Sequence, residues 1–204
     1  MGLLADWSRR GTGQIGLTER RYLRRLSPED RAERIDRLCG ASSDTDITDA
    51  QVMALDDLNQ AYELKCSSER WDVEVDEDIG SYLMGMDGPW MMALPDLPPG
   101  NRVHDVFLDY PNFEVVKIEV EAPNGFLSGT PPPVVRLNSA YGNYQLIVTL
   151  TETGFEIERA LGLLRTQIPA GEYEQFRGFI EQVRTHDRTQ LKFVRETTFG
   201  GTNP

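Results

Sequence analysis

The stretch FEVVKIEVEA, residues 113–122, decides the fold, because apolar and charged side chains alternate along it. The apolar set is Val116, Ile118 and Val120, and the charged set is Lys117, Glu119 and Glu121. A repeat of two residues places successive side chains on opposite faces of an extended chain. The stretch therefore predicts a β-strand with one face in a core and the other in water.

Other short segments on both sides of this strand are rich in β-branched, aromatic and alternating residues. They are Val52–Leu55, Tyr62–Cys66, Trp71–Val75, Val134–Leu137, Tyr144–Leu150, Phe155–Leu163 and Leu191–Arg195. The Thr153-Gly154 turn between two of them favours a hairpin. Many short strands joined by turns predict a mainly antiparallel, β-sandwich-like domain.

Two segments have helical signals instead. Residues 170–185 follow Pro169, and their apolar side chains recur at steps of three and four residues, which predicts an amphipathic C-terminal helix. An N-terminal helix is predicted to begin at Ser27 as N-cap, with Pro28 in its first turn, and to end near Gly40. The two helices beside the strands give an α+β class.

The organisation that follows is an N-terminal strand and helix arm over residues 1–45, a β-sandwich-like domain over 46–196 and a flexible tail over 197–204. The 204 residues contain no run of about 18 apolar residues, so we expect no membrane span. The first residues lack the basic and apolar regions of a secretory signal peptide. This leaves the compartment of the protein open.

The net charge of −12 is unevenly distributed. Residues 41–125 contain 19 acids and four basic residues, whereas residues 1–40 contain nine arginines and six acids. An acidic middle repels phosphates, so we expect no nucleic-acid partner. The early arginines are interpreted as a solvated helix face; they are Arg9, Arg10, Arg20, Arg21, Arg24 and Arg25.

The two cysteines, Cys39 and Cys66, fit no zinc motif. Two buried, unpaired thiols are the preferred prediction. A single disulfide formed in an oxidising compartment is the alternative. A catalytic thiol is the least favoured, because only His104 and His186 could serve as its base and neither lies in a recognisable cysteine–histidine motif.

Three motifs suggest chemistry, and in each case a structural role is preferred. Residues 11–16 match the glycine pattern of dinucleotide sites, but Ser8-Arg9-Arg10 precedes them where an apolar strand should lie. The five acids within residues 72–78 lack the later ligands of a calcium loop. His186 is expected to interact with the end of the C-terminal helix, since no serine motif accompanies it. We therefore predict no catalytic residue, no cofactor and no metal site.

The most unusual local sequence lies within residues 82–92, where methionine, tryptophan and tyrosine are concentrated. The candidate residues are Tyr82, Met84, Met86, Trp90, Met91 and Met92. Flexible thioethers suit adaptable apolar surfaces. The cluster is therefore either a protein-docking patch, if exposed, or irregular core filling, if buried.

A series of short motifs in residues 102–195 resembles the C-terminal β-rich segment of bacterial transglutaminase-like proteins. The motifs include APNGF at 122–126, NSAYGNY at 138–144, Glu158-Arg159 and IPAGEYEQFRGF at 168–179. In those proteins a papain-like transglutaminase core is flanked by domains of unknown function. The catalytic Cys, His and Asp of the family belong to that core, which would precede residue 1, so the resemblance assigns no catalytic residue here.

The expectation for function is thus a non-catalytic accessory domain. The resemblance implies a protein partner, namely a transglutaminase- or protease-like core on which the domain docks. A stand-alone β-sandwich module that binds a peptide or a glycan is the alternative.

Overall fold

The computed structural model describes residues 3–70, 81–85, 91, 94–109 and 111–196. Its main layer is a seven-stranded antiparallel sheet. In spatial order the strands are β2 (Thr45–Met53), β3 (Tyr62–Arg70), β1 (Leu3–Gly13), β6 (Asn112–Glu121), β10 (Gly154–Leu163), β9 (Gly142–Leu150) and β8 (Val135–Asn138). The predicted strand at 113–122 is thus confirmed as β6, near the middle of this sheet.

A second layer covers one face of the main sheet. It contains the helices α1 (Gln14–Leu23), α2 (Pro28–Cys39) and α3 (Tyr173–Asp187), and a three-stranded sheet of β4 (Ser81–Gly85), β12 (Gln190–Arg195) and β7 (Phe126–Ser128). A short pair, β5 (Val106–Phe107) and β11 (Gln167–Ile168), lies beyond one end of β6 and β10. The α+β class with mainly antiparallel sheets is therefore confirmed.

The core lies between the two layers. Cys66, Trp7, Ile118 and Ile157 are register partners across four strands, so they share one face of the main sheet, and all four are buried. Phe155 of β10 contacts Phe193 of β12 with ring centroids 5.2 Å apart, which joins the two sheets. The opposite face of the main sheet, the outer face, carries the charged side chains of the alternating strands.

Both predicted helices are present. Ser27 caps α2, because its Oγ accepts a hydrogen bond from the Asp30 amide at 3.1 Å, and Gly40 ends the helix in the left-handed region with φ 92°. The C-terminal helix starts at Tyr173, later than predicted, because residues 170–172 form a 3-10 turn. None of the helices in the described ranges is both long and apolar enough to cross a bilayer.

The predicted hairpin between β9 and β10 is confirmed, and its turn explains Gly154. The Gly154 amide donates to the Thr151 hydroxyl at 2.9 Å. A Cβ on Gly154 would collide with the carbonyl oxygen of Val120 on the neighbouring strand. Glycine is therefore the residue that allows β10 to begin directly beside β6.

The predicted N-terminal strand is present as β1, and it includes the polar segment Ser8-Arg9-Arg10 that precedes the glycine motif at 11–16. The motif lies where β1 ends and α1 begins. Both neighbours of β1 are antiparallel to it, so β1 does not form the parallel β–α–β unit of a dinucleotide site. A Cβ on Gly16 would lie 3.0 Å from the Tyr62 Cβ, so this glycine lets the first turn of α1 pack on β3.

The preferred prediction of two unpaired thiols is also wrong. Cys39 at the end of α2 and Cys66 in β3 form a disulfide, with Cα atoms 5.7 Å apart. The pairing depends on a contact between residues 27 positions apart, which the spacing of the two cysteines alone does not reveal. It attaches α2 covalently to the main sheet.

Candidate functional site

One end of the main sheet carries exposed apolar side chains. Phe107, Phe113 and Leu164 are 71%, 48% and 58% exposed, and we call these three residues the apolar end. They lie towards the same end of the sheet, because β5 and β11 lie just beyond the end of the β6–β10 ladder, where Asn112 pairs with Leu163. The Phe113 ring lies over Gly162. Such a concentration of exposed large apolar groups is typical of an interaction surface.

Further along the outer face the surface becomes acidic. Asp6, Glu119 and Glu156 are exposed and lie directly opposite one another on β1, β6 and β10. In the same row Asp6 is followed by Ser67 and then by Asp49 on β2. Like charges that face each other across strands repel. This part of the outer face therefore has a negative potential.

Two shallow grooves cross the outer face. One, of about 420 Å³, is lined by groups that include Asp49, Glu63, Lys65 and Lys117. The other, of about 380 Å³, runs past Thr48, Glu121 and Thr153. Their linings are mixed polar surfaces that could hydrogen-bond an extended ligand.

The strongest electrostatic feature lies in the core. The Arg159 guanidinium donates from Nε and Nη2 to the two carboxylate oxygens of Asp187, at 2.8 and 2.9 Å. Its Nη1 donates to Glu114 Oε2 at 2.7 Å. The Tyr144 hydroxyl donates to Asp187 Oδ1 at 2.9 Å. We call these four residues the ion cluster, and all of them are buried.

The ion cluster holds α3 against the sheet, since Asp187 ends α3 while its partners lie on β6, β9 and β10. Burial alone would lower the pKa of Arg159, but the hydrogen bonds and charge of Asp187, with the charge of Glu114, outweigh it and raise the pKa. Burial, followed by the charge of Asp187, raises the pKa of Tyr144. The guanidinium therefore stays charged and the phenol stays neutral, as in a structural network.

The sequence contained a signal for two members of the ion cluster. Glu114 is in phase with Val116 and Ile118, and Arg159 is in phase with Phe155 and Ile157. A charged residue at the buried position of an alternating strand requires a buried partner. The identity of that partner, Asp187, could not be predicted, because α3 brings it from 28 residues away.

Arg10, Arg21, Arg24 and Arg25 are exposed, as a solvated face requires, but Arg20 is an exception. Arg20 is buried and donates to the carbonyl oxygens of Ala54, Asp57 and Gln60, at 2.9, 3.2 and 2.5 Å. Its charge is thus used to hold the β2–β3 loop. Arg24 forms an ion pair with Asp56 of the same loop at 3.0 Å.

The predicted docking patch at residues 82–92 is described only in part. Met84 is buried, because β4 pairs with β12 in the sheet that covers the core, so Met84 cannot belong to an exposed patch. Met91 is partly buried and packs against the core. Tyr82 lies opposite Phe193 in the same sheet. Met86, Trp90 and Met92 lie outside the described residues.

The remaining sequence motifs, the acids at 72–78 and His186, do not form a shared site in the part of the chain that the structure describes. The acids at 72–78 lie outside the described residues. His186 is half-buried in the last turn of α3, and its ring stacks with Tyr144 at 6.3 Å between centroids. Across the part of the chain that the structure describes, no group of His, Cys, Asp or Glu is arranged to hold a metal ion.

The amino-acid sequence matches one known protein family. The family model described as "Domain of Unknown Function with solved-structure structure (DUF3858)" matches residues 91–193, just over half of the chain. The chain belongs to the DUF3858 family. Comparison with curated proteins and with solved structures gave no significant match.

The DUF3858 segment accounts for one side of the main sheet. It contains the apolar end, the ion cluster and the strands β6, β10, β9 and β8. The residues before it supply β1, β2 and β3, which continue the same sheet through the antiparallel β1–β6 pairing. The outer face therefore extends from the DUF3858 segment onto strands that precede it.

A buried tyrosine with a shifted pKa lies outside the DUF3858 segment. Tyr62 on β3 is buried, and within the described part of the chain its hydroxyl has no hydrogen-bond partner. Burial, and then the nearby charge of Glu19, raises the pKa of Tyr62 to about 12, although Arg9, Arg34 and Arg20 act in the opposite direction. An unpaired buried hydroxyl is destabilising compared with a ring that lacks it.

We expect Tyr62→Phe to reduce the fall in the free energy of unfolding as the pH rises from 10 to 12. In the unfolded chain the phenol ionises near pH 10, whereas in the folded protein it ionises near 12. The stability linked to the neutral phenol is thus present below pH 10 and is lost as the pH rises from 10 to 12, by about 2–3 kcal/mol. Urea unfolding at several pH values measures this.

The control for this prediction is Tyr22→Phe, because Tyr22 is 49% exposed. That variant should lose as much stability between pH 10 and 12 as the parent protein does. If Tyr62→Phe and the parent lose stability equally between pH 10 and 12, the phenol does not contribute as described.

Proposed function

We propose that this DUF3858 protein is a non-catalytic accessory domain that docks on a transglutaminase- or protease-like catalytic core. The sequence motifs at 122–126, 138–144 and 168–179 resemble the C-terminal segment of transglutaminase-like proteins. The family match itself gives no function. The proposal therefore depends on that resemblance and on the surface described above.

The single observation that carries docking is the apolar end. Two phenylalanines and a leucine remain about half exposed or more at one end of a sheet whose other face buries its apolar groups. Aromatic side chains are enriched at the centres of protein interfaces, where burying them supplies most of the binding energy. The apolar end, and not the methionine-rich segment, is therefore the better candidate for the centre of the interface.

The neighbouring acidic row indicates the chemistry of the partner surface. Asp6, Glu119 and Glu156 lie along the same sheet as Phe113. A partner that covers the apolar end would gain by placing Lys or Arg side chains over this row. We therefore expect an apolar partner surface with a basic margin.

The test is binding to a purified transglutaminase-like core that is encoded with this chain, in the same reading frame or in an adjacent gene. Isothermal titration calorimetry would measure the dissociation constant for the parent chain and for Phe107→Ser/Leu164→Ser. Because both side chains would leave the centre of the interface, we expect binding about tenfold weaker or more.

A matched control is Leu58→Ser, which removes a similarly exposed leucine, 61% exposed, in the β2–β3 loop. It should leave the dissociation constant unchanged. Docking through the apolar end is excluded if both variants bind equally well, and the proposed function fails if the parent chain does not bind the core.

A stand-alone module that binds a peptide or a glycan is the second candidate. The observation that favours it is the groove of about 420 Å³ on the outer face, with Asp49, Glu63 and Lys65 in its lining. Screening of peptide and glycan arrays would test it. A ligand whose binding is lost on Lys65→Ala, and is unaffected by Phe107→Ser/Leu164→Ser, would favour this candidate over docking.

A further inference from the structure

We infer that the Cys39–Cys66 disulfide is a redox-sensitive latch for α2: it holds α2 over strands β2 and β3, and its reduction releases α2 while the core under α3 stays folded. This inference concerns the part of the chain that precedes the DUF3858 segment, so it is independent of the proposed docking function.

The first argument is the weak non-covalent attachment of α2. All of its residues are described, and Cys39 is the one buried among them. Ile35 and Leu38 pack against the core while remaining partly exposed. In contrast, α3 buries six residues, and its Asp187 is tied into the ion cluster. Little apolar burial therefore stabilises α2 apart from the disulfide.

The second argument is that the polar contacts of α2 are local. Arg31 donates to the carbonyl oxygen of Leu23, the last residue of α1, at 2.9 Å, and to that of Leu26, in the turn before α2, at 3.4 Å. The Arg34 guanidinium lies 5.3 Å from the ring centroid of Tyr22 on α1. These contacts bind α2 to α1 and the turn, whereas the disulfide binds it to β3 in the sheet.

The third argument is what α2 covers. Ile47, Ala50 and Val52 of β2 are partly buried apolar residues that pack with the core beside α2. Strand β2 is an edge of the main sheet, and an irregularity interrupts its pairing between Ile47 and Asp49. Release of α2 would expose an apolar stripe on an edge strand, which is a surface that other chains can pair with.

The chemistry requires a dithiol reductant, such as dithiothreitol or a thioredoxin-type protein. One of its thiolates attacks a sulfur of the disulfide, and its second thiol then displaces that sulfur. The Cys39–Cys66 bond breaks, two thiols form after two protons are taken up, and the reductant becomes the disulfide. Both cysteines are buried, so the attack requires the last turn of α2, next to Gly40, to open transiently.

Hydrogen exchange measured by mass spectrometry tests the latch on the full chain, oxidised and then reduced with dithiothreitol. We expect amide exchange in residues 28–40 to become at least about tenfold faster on reduction, because α2 loses its covalent attachment. Peptides from residues 173–187 should exchange at the same rate in both states.

The double variant Cys39→Ser/Cys66→Ser provides the control, since it cannot form the bond. It should show the fast exchange of residues 28–40 even in oxidant and should not respond to dithiothreitol. Unchanged exchange of residues 28–40 on reduction would overturn the latch. Equal acceleration in residues 28–40 and 173–187 would also overturn it, because the disulfide would then stabilise the whole domain.

Discussion

Arg159→Ala is expected to lower the free energy of unfolding by about 3–5 kcal/mol, because it leaves two carboxylates buried without their cation. Arg159 is fully buried and donates to both Asp187 oxygens and to Glu114. Urea unfolding followed by circular dichroism measures the change. Since Asp187 ends α3, we also expect the helical signal to be lost at a lower urea concentration.

The matched control for this prediction lies on the same two strands. Lys117 of β6 and Glu158 of β10 form an ion pair at 3.4 Å on the outer face, and both side chains are at least 38% exposed. Exposed pairs contribute little to stability. Lys117→Gln should therefore leave the urea midpoint unchanged, and an effect as large as that of Arg159→Ala would contradict our account of burial.

Arg159→Ala removes both the positive charge and most of the volume of the side chain, and a second variant distinguishes these two causes of destabilisation. Replacing the whole ion cluster by Glu114→Leu, Tyr144→Phe, Arg159→Met and Asp187→Leu removes every buried polar group together with its partner. Apolar replacement of a buried ion network is often neutral or stabilising. We expect this variant to be more stable than Arg159→Ala alone, although it contains more substitutions.

The strands that were predicted from the sequence are those with one face in the core and the other face exposed. In strands β6, β9, β10 and β12 buried residues alternate with more exposed ones along most of the strand, so the pattern is clear. Strand β2 was placed at Val52–Leu55 but spans Thr45–Met53. The irregularity between Ile47 and Asp49 shifts which residues face inward, and this breaks the period of two on which the prediction depended.

Strand β1 shows a second reason why the local sequence pattern does not reveal the position of a strand in the sheet. It lies between β3 and β6 and is therefore supported on both sides by backbone hydrogen bonds. Its Ser8-Arg9-Arg10 segment is polar, so the hydropathy of that segment does not indicate a central strand. A structural role was preferred for the glycines that follow it, and Gly16 has one, because a Cβ there would lie 3.0 Å from the Tyr62 Cβ. Such long-range contacts override local propensity.

The candidate surface was the least predictable feature. Exposure of Phe107 and Leu164 depends on how the β5–β11 pair continues beyond β6 and β10, which involves residues about 60 positions apart. Their sequence neighbours, Val106 and Leu163, point into the core and are equally apolar. Hydropathy cannot distinguish the exposed from the buried member of each pair, so the apolar end could not be identified from the sequence.

Phe155→Ala is expected to destabilise the protein by about 3–5 kcal/mol, because it opens a cavity between the two sheets. Phe155 is 1% exposed, and its ring meets Phe193 at 5.2 Å in an edge-to-face contact. Urea unfolding measures the loss. Phe107→Ala removes the same side chain from a position that is 71% exposed, so it should leave the urea midpoint nearly unchanged.

The comparison of these two phenylalanines tests the fold and the docking proposal together. If Phe155→Ala loses less than about 1 kcal/mol, well below the usual range for a buried phenylalanine, the three-stranded sheet does not pack on β10 as described. If Phe107→Ala destabilises the chain as strongly as Phe155→Ala, Phe107 is part of the folded core. Weaker binding by Phe107→Ser/Leu164→Ser would then report unfolding. With Phe107→Ala fully stable, the same loss of binding is due to the surface alone.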